Sequence, residues 1–359
     1  MIRPFQVGDI LLIQRLGRQA TRLNTIHALL QPHTALKAAL TAVIPWNEAK
    51  VTTYVLQQRH HELARTGFLQ AQKRPGRPEV DIIMLAPALD TASGHPAIWE
   101  KLLSHYSNEA AQQKITRIYV DAPDQPLPVT TFMHVGFRVY TRQTIWRFTS
   151  FPVPKLTLAS AGSIRSQTPV DEWALQRLYT RMSPAHVQQA EGIQTDNSVK
   201  PPTLEWWQTG TRKSFVLEKQ GELQGCIRIA YGQRGIWLQL WVDTYQPDNA
   251  AIDQLIRWGL TVIQQDGLHL PIYIGVREYH GGLGPVLADY GFAPFTDRAK
   301  MVKHLVQWVR NPTHVLAPAL ETIREAVPTP FVFPEETSRL NYPLAAQPQP
   351  THAAQPEHG

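Results

Sequence analysis

Two carboxylates, Glu79 and Asp81, flank Val80 at the start of the apolar run Val80 to Leu85. Side chains alternate across a strand, so both carboxylates share one face. A carboxylate there can take up or give a proton, which makes Glu79 and Asp81 candidates for acid–base chemistry. Their structural alternative is a solvated pair at a strand end. A second candidate is Ser93-Gly94-His95, just ahead of Pro96, a residue suited to the first position of a helix. Backbone N–H groups at a helix start attract anions, and glycine lets a phosphate approach closely. The single cysteine, Cys226, excludes an intrachain disulfide framework and a cysteine-based zinc site, and reads as a small buried hydrophobe in a strand. His60-His61 beside Glu62 lacks a second ligand cluster at metal spacing, so no metal is expected. Tyr279-His280-Gly281-Gly282-Leu283-Gly284 follows an apolar run and reads as a flexible connection lining a cleft. Trp206-Trp207, Trp237 and Trp241 read as core or domain-interface aromatics.

The chain that must position these groups has 359 residues, about two ordinary domains. With 43% hydrophobic and 18% charged residues it is expected to bury conventional cores. The N-terminus carries no signal-peptide pattern and no apolar run is long enough to span a bilayer, so a cytoplasmic protein is expected. Residues 1 to 77 hold eleven Lys or Arg against Asp9, Glu48 and Glu62, whereas the rest of the chain is net acidic. Such a basic face can receive a polyphosphate or an acidic partner; without a nucleic-acid-binding signature, nucleic acid is not an expected partner.

An internal repeat organises the whole. Ile2-Arg3, Asp9 and Gln14-Arg15-Leu16 recur as Ile164-Arg165, Asp171 and Gln176-Arg177-Leu178, each 162 residues on. Gly136-Phe137 recurs as Gly291-Phe292, 155 residues on. Asp9 and Asp171 read as carboxylate N-caps of a first helix in each copy. Strand runs follow at 51–57, 67–72 and 80–85, matched by 214–218, 225–230 and 236–242. Helices are predicted over 97–111 and 249–265, fifth strands over 115–120 and 272–276. A last short helix ends at each Gly-Phe, where glycine permits a left-handed cap, and a final strand pair completes each copy. The boundaries are thus 1–150 and 163–311, with a linker at 151–162 and, over 312–359, a helix and a proline-rich mobile tail.

This order of elements, closed twice by Gly-Phe, resembles the GNAT acetyltransferase superfamily. The resemblance implies an α/β (mixed α+β) sheet in two tandem domains, each splayed between its fourth and fifth strands. It also implies that acetyl-CoA or another acyl-CoA lies in that gap, its pantetheine arm along the fourth strand and its pyrophosphate on the following helix start. In the first copy those positions are Leu85, Ala86, Ser93, Gly94 and His95. The family's Arg/Gln-x-x-Gly-x-Gly/Ala loop is worn in both copies: Asp90 to Pro96 has one glycine, and Thr244 to Ala250 has none and carries Asp248. At the position of the family's tyrosine acid, four residues before the glycine, stand Phe132 and Leu287. The expectation is an acyl-CoA-dependent N-acetyltransferase acting on a small-molecule or peptide amine, with the first copy holding the cofactor. Its alternative is a catalytically inactive GNAT-fold binding or regulatory protein.

Overall fold

The computed structural model describes residues 1–32, 34–41, 51–57, 66–150, 164–192, 211–242 and 249–305. In the first copy the order is β1 (Ile2–Pro4), α1 (Ile10–Gly17), β2 (Thr21–Arg22), α2 (Thr25–Leu30), α3 (Ala35–Thr41), β3 (Val51–Leu56), β4 (Gly67–Lys73), β5 (Glu79–Ala86), α4 (Pro96–Gln112), β6 (Arg117–Pro123), α5 (Pro126–His134) and β7 (Arg138–Phe148). The second repeats it as β8 (Ile164–Ser166), α6 (Glu172–Met182), α7 (Ala185–Ala190), β9 (Arg212–Lys219), β10 (Glu222–Tyr231), β11 (Ile236–Val242), α8 (Asn249–Gln265), β12 (Ile272–Arg277), α9 (Leu283–Asp289) and β13 (Ala293–His304). The linker, the tail, His60 to Glu62, Trp206-Trp207 and Thr244 to Asp248 lie outside the described residues.

One mixed sheet runs through both copies, in the order β1-β3-β4-β5-β6-β13-β7-β12-β11-β10-β9-β8, with β2 added to β5. In place of the expected final strand pair, each copy has one long last strand, and the two are exchanged. β13 of the second copy lies beside β6 of the first, and β7 of the first lies beside β12 of the second. β7 and β13 then pair with each other at the middle. The exchange reaches the cores. Ala299 and Met301 of β13 join the cluster of the first copy under Trp99 and Leu102 of α4, and Phe148 of β7 joins that of the second under Leu255 and Ile256 of α8. Burying one such phenylalanine stabilises the joined fold by about 2–3 kcal/mol.

A pseudo-twofold relates the halves. Gln143 pairs with Arg298 at its centre, and these are 155 residues apart, like the two Gly-Phe turns. Lys300 and Ile145 are likewise 155 residues apart, and in the flanking ladders Lys300 pairs with Asp121 where Ile145 pairs with Gly275. The turns form as expected: Gly136 and Gly291 have φ of 89° and 84°, and the N–H of the following Phe returns to the carbonyl of Phe132 or Leu287.

The conserved spacing of Arg and Asp in the two copies has a different meaning from the expected N-cap. Asp9 and Asp171 clamp the strand arginines: Arg3 donates to both oxygens of Asp9 at 2.7 and 2.8 Å, and Arg165 to both of Asp171 at 2.8 and 2.7 Å. Each also accepts the N–H three residues back, from Gln6 or Thr168, as the carboxylate arm of a capping box. Arg165, assisted by Thr168, holds Asp171 far below the ordinary carboxylate range. Burial raises Asp9, but the Arg3 fork and the Gln6 N–H outweigh it and leave it lowered. First strand and first helix are thereby pinned together in each half.

Candidate active site

Both copies have the expected split between fourth and fifth strands. β5 and β6 pair only from Glu79/Arg117 to Asp81/Tyr119, and β11 and β12 only from Ile236/Ile272 to Leu238/Ile274. Beyond those points the strands diverge, and the two copies differ.

In the first copy the gap holds the protein's own backbone. β2 runs antiparallel to β5, Thr21 opposite Leu85 and Arg22 opposite Met84. The N–H of Leu23 reaches the Ile83 carbonyl at 2.9 Å, and the Leu23 carbonyl accepts from Asp121 N–H at 3.1 Å on β6. Residues 21–23 thus bridge both lips. Leu85, one of the positions the resemblance assigns to cofactor, faces Thr21, and Ala86 faces Phe68 of β4. The helix start is equally engaged. Gly94 donates to the Thr91 carbonyl at 2.8 Å, Ser93 Oγ to Gln19 Oε1 at 3.3 Å, and His95 caps α4 by accepting Ala97 N–H at 3.2 Å. A side chain at Gly94 would meet the Ala88 carbonyl at 2.2 Å, so this glycine serves chain packing.

In the second copy the corresponding residues do something else. α6 continues to Met182, three residues further than α1 by the 162-residue relation, and passes through Ser183-Pro184 directly into α7. Pro184 stands where Arg22 stands in the first copy, and proline has no N–H to add to a strand. Among the described residues no strand enters the gap between β11 and β12. Ile236 N–H points across to the Pro271 carbonyl at 2.9 Å, and alternation aims the Leu238 and Leu240 backbone the same way. At Leu240 that edge meets the opening.

The opening leads to a cavity of about 390 Å³ on the face of the sheet opposite α4 and α8, walled by both copies. Asp81 lines its first-copy side, and both Glu79 and Asp81 differ from solvated strand-end carboxylates. Glu79 is 3% exposed and held by Arg74 at 3.2 Å and Arg117 at 3.1 Å. Asp81 takes a two-pronged pair from Arg74 at 2.6 and 2.9 Å, and the Arg74 guanidinium lies 3.8 Å over the Tyr119 ring. Their oxygens are held by arginines, which occupy the lone pairs that a base would use.

Further polar groups of the cavity come from other elements. Glu191, after α7, accepts from Arg277 at 2.7 Å, from Tyr140 at 3.4 Å and from Tyr179. Burial raises the Glu191 carboxyl, but Arg277 and the Tyr179 hydroxyl outweigh it and keep it ionised, while burial beside Glu191 pushes Tyr140 and Tyr179 well up. Tyr279 Oη accepts from Arg277 at 2.7 Å. His280 is 7% exposed; burial, with Arg277 nearby, pulls its pKa down to about 3, and its Nε2 has no partner. The glycine-rich reading of 279–284 located this segment at a cleft but gave Tyr279 and His280 no role. A Tyr-His pair directly after a fifth strand was the available signal. Trp237 packs on Ile26 and Leu30 of the first copy, as an interface aromatic. Cys226 is buried, and burial raises its thiol to about 11. No helix among the described residues is long and apolar enough to cross a membrane.

No family model matches the chain, and no curated protein sequence does. Solved structures do. It is similar to a tandem GNAT protein from the clavulanic acid biosynthesis pathway, at 13% identity over 86% of this chain and 99% of the other, with a TM-score of 0.49. It is also similar to a GCN5-related N-acetyltransferase from Sphaerobacter thermophilus, at 11% identity over 86% and 96%, TM-score 0.48, and to one from Anabaena variabilis, at 12% over 85% and 73%, TM-score 0.41. Such identities concern the path of the chain, and the chemistry is read from the cleft itself.

Proposed function

We propose that this chain is an acyl-CoA-dependent N-acyltransferase in which the second copy, contrary to the expectation from sequence, holds the cofactor and the first is a structural half that completes the acceptor pocket. One observation carries this reading: the β5/β6 gap is threaded by Thr21 to Leu23, whereas the β11/β12 gap is free of any described strand and opens on a polar cavity. The donor set fits. A pantetheine arm needs an unpaired strand edge, and the edge at Leu240 supplies it. Bound acyl-CoA would supply an activated thioester, so an amine can attack without a side-chain nucleophile. Backbone N–H groups at the Leu240 edge would stabilise negative charge on the carbonyl oxygen. His280, neutral at physiological pH, would accept a hydrogen bond from the incoming amine and orient it. Tyr279, polarised by Arg277, would donate its proton to the departing sulfur as the C–S bond breaks and regain one from the proton that the amine nitrogen loses, so that one proton passes in net from nitrogen to sulfur. The acceptor is a small-molecule or peptide amine, and a cytoplasmic location agrees with such a co-substrate.

The test is hydrogen–deuterium exchange with acetyl-CoA and other short acyl-CoAs. Protection at Leu240 to Val242 is expected, with Ile83 to Ala88 unchanged. Protection confined to Ile83 to Ala88, or no binding of any acyl-CoA, would refute the proposal. A second reading, an acyl-CoA-binding protein without transfer activity, draws on the buried Phe132 and Leu287 where the resemblance implies a tyrosine acid. It predicts the same footprint but no CoA release with any amine.

A further inference from the structure

Several side chains that line the cavity carry polar hydrogens or lone pairs without hydrogen-bond partners among the described residues. Gln143 Nε2, Trp237 Nε1 and His280 Nε2 are unpartnered, and these residues are 6%, 4% and 7% exposed. Lys300 Nζ has only Asp121 Oδ2, at 3.8 Å, beyond hydrogen-bond range. Gln143 and Lys300 share a sheet face with Arg277 and Gly275, on neighbouring strands. Gly275 makes the hollow between them, since a side chain there would stand 3.2 Å from both Gln143 Oε1 and the Trp237 ring.

Among the described residues, charge in the hollow does not balance. Arg74 is matched by Asp81 and Arg277 by Glu191, but Asp121 faces two cations, Lys300 at 3.8 Å and Arg298 at 3.6 Å. Arg298 is also tied to the Arg22 carbonyl at 2.9 Å, whereas for Lys300 Nζ the nearest acceptor among the described residues is Asp121, at 3.8 Å. One uncompensated buried positive charge is costly by itself and is relieved by a single negative charge brought in from outside. Burial accordingly lowers Lys300 below the ordinary lysine value. Water would satisfy the donors but not the charge.

We infer that the amine acceptor carries a carboxylate, held by Lys300, Gln143 Nε2 and Trp237 Nε1 over Gly275, so that the substrate is an amino acid or a peptide with its terminal carboxylate in this hollow. The inference rests on the N-acyltransferase reading for the acceptor's role, but its binding chemistry stands on the cavity alone. The His280 ring, its Nε2 unpartnered among the described residues, also lines the cavity and is available to the amine.

Binding of the twenty L-amino acids to the full chain without acyl-CoA, by thermal shift and calorimetry, is the test. Methylamine, isobutylamine, cadaverine and inorganic phosphate serve as comparison probes. At least one amino acid should bind, and its decarboxylated amine and phosphate should bind at least tenfold more weakly. Lys300→Met should weaken that amino acid at least tenfold; Gln143→Glu, which adds a repelling charge without removing Lys300, should do the same. Equal binding of amine and amino acid, preference for phosphate, or no binding of any carboxylate probe would overturn the inference. An acetyl-CoA footprint at Leu240 with no carboxylate binding removes only the inference. Carboxylate binding without any acyl-CoA footprint removes the transferase reading and keeps the hollow as an anion site.

Discussion

His280 gives the sharpest numerical prediction. Its ring is buried in the cavity wall, with a pKa pulled from 6.5 to about 3 by burial and by Arg277. Below pH 6.5 the unfolded chain binds a proton that the folded chain refuses, so stability falls as pH drops and continues falling until the folded ring also protonates near pH 3. The loss is about 1.4 kcal/mol per pH unit in that window. Between pH 7 and pH 4 it amounts to about 3 kcal/mol. His280→Asn keeps a polar side chain but removes the titration. Urea unfolding followed by tryptophan fluorescence at pH 7 and pH 4 gives four free energies. Every carboxylate that titrates contributes equally to both proteins, and the difference of differences isolates the ring. The wild type should lose about 3 kcal/mol more than the variant over that interval. Equal losses, within about 1 kcal/mol, would show that the ring is solvated and charged at low pH and would remove its role as a neutral acceptor.

Residues 1–150 expressed alone should aggregate, because β6 would lack β13 and present a bare edge, and β7 would lack both neighbours. A monomeric fragment with native circular dichroism on size exclusion would contradict the exchanged-strand fold. Ser93→Glu places a charge at the exposed start of α4 and should leave any acetyl-CoA thermal shift unchanged; loss of the shift would return the cofactor to the first copy. Asp9→Asn should cost about 2 kcal/mol at pH 7 by weakening the Arg3 fork. Because the Asp9 carboxyl is lowered on folding, that difference should vanish as pH falls below the ordinary aspartate range, and a pH-independent difference would assign the loss to packing.

The repeat, the element order and the Gly-Phe turns were legible because they are written in local spacing: apolar period, turn chemistry and a constant step between copies. Strand order at the centre was not. Which copy receives the last strand depends on contacts between β6 and β13 that are nearly two hundred residues apart, and both copies carry equally suitable strands. Glu79 and Asp81 were visible as chemistry-bearing types, but Arg74 and Arg117, which hold them, come from the turn after β4 and the start of β6. The filled gap was hidden for a similar reason. Thr21-Arg22 is too short to announce a strand, and it becomes one only because β5 and β6 part beside it. Tyr279, His280 and Lys300 belong to one site only once the sheet is assembled across both copies.

The pseudo-twofold carries a consequence for recognition. Two identical subunits facing each other across an axis must present the same residue twice, and the hollow between them can then suit only a ligand that is itself symmetric or that binds in two equal ways. Here the facing positions have diverged: Gln143 meets Arg298, and Lys300 pairs with Asp121 where Ile145 pairs with Gly275. Joining the halves in one chain lets one wall become charged while the opposite wall becomes empty space. A small molecule entering between them meets a definite head and tail.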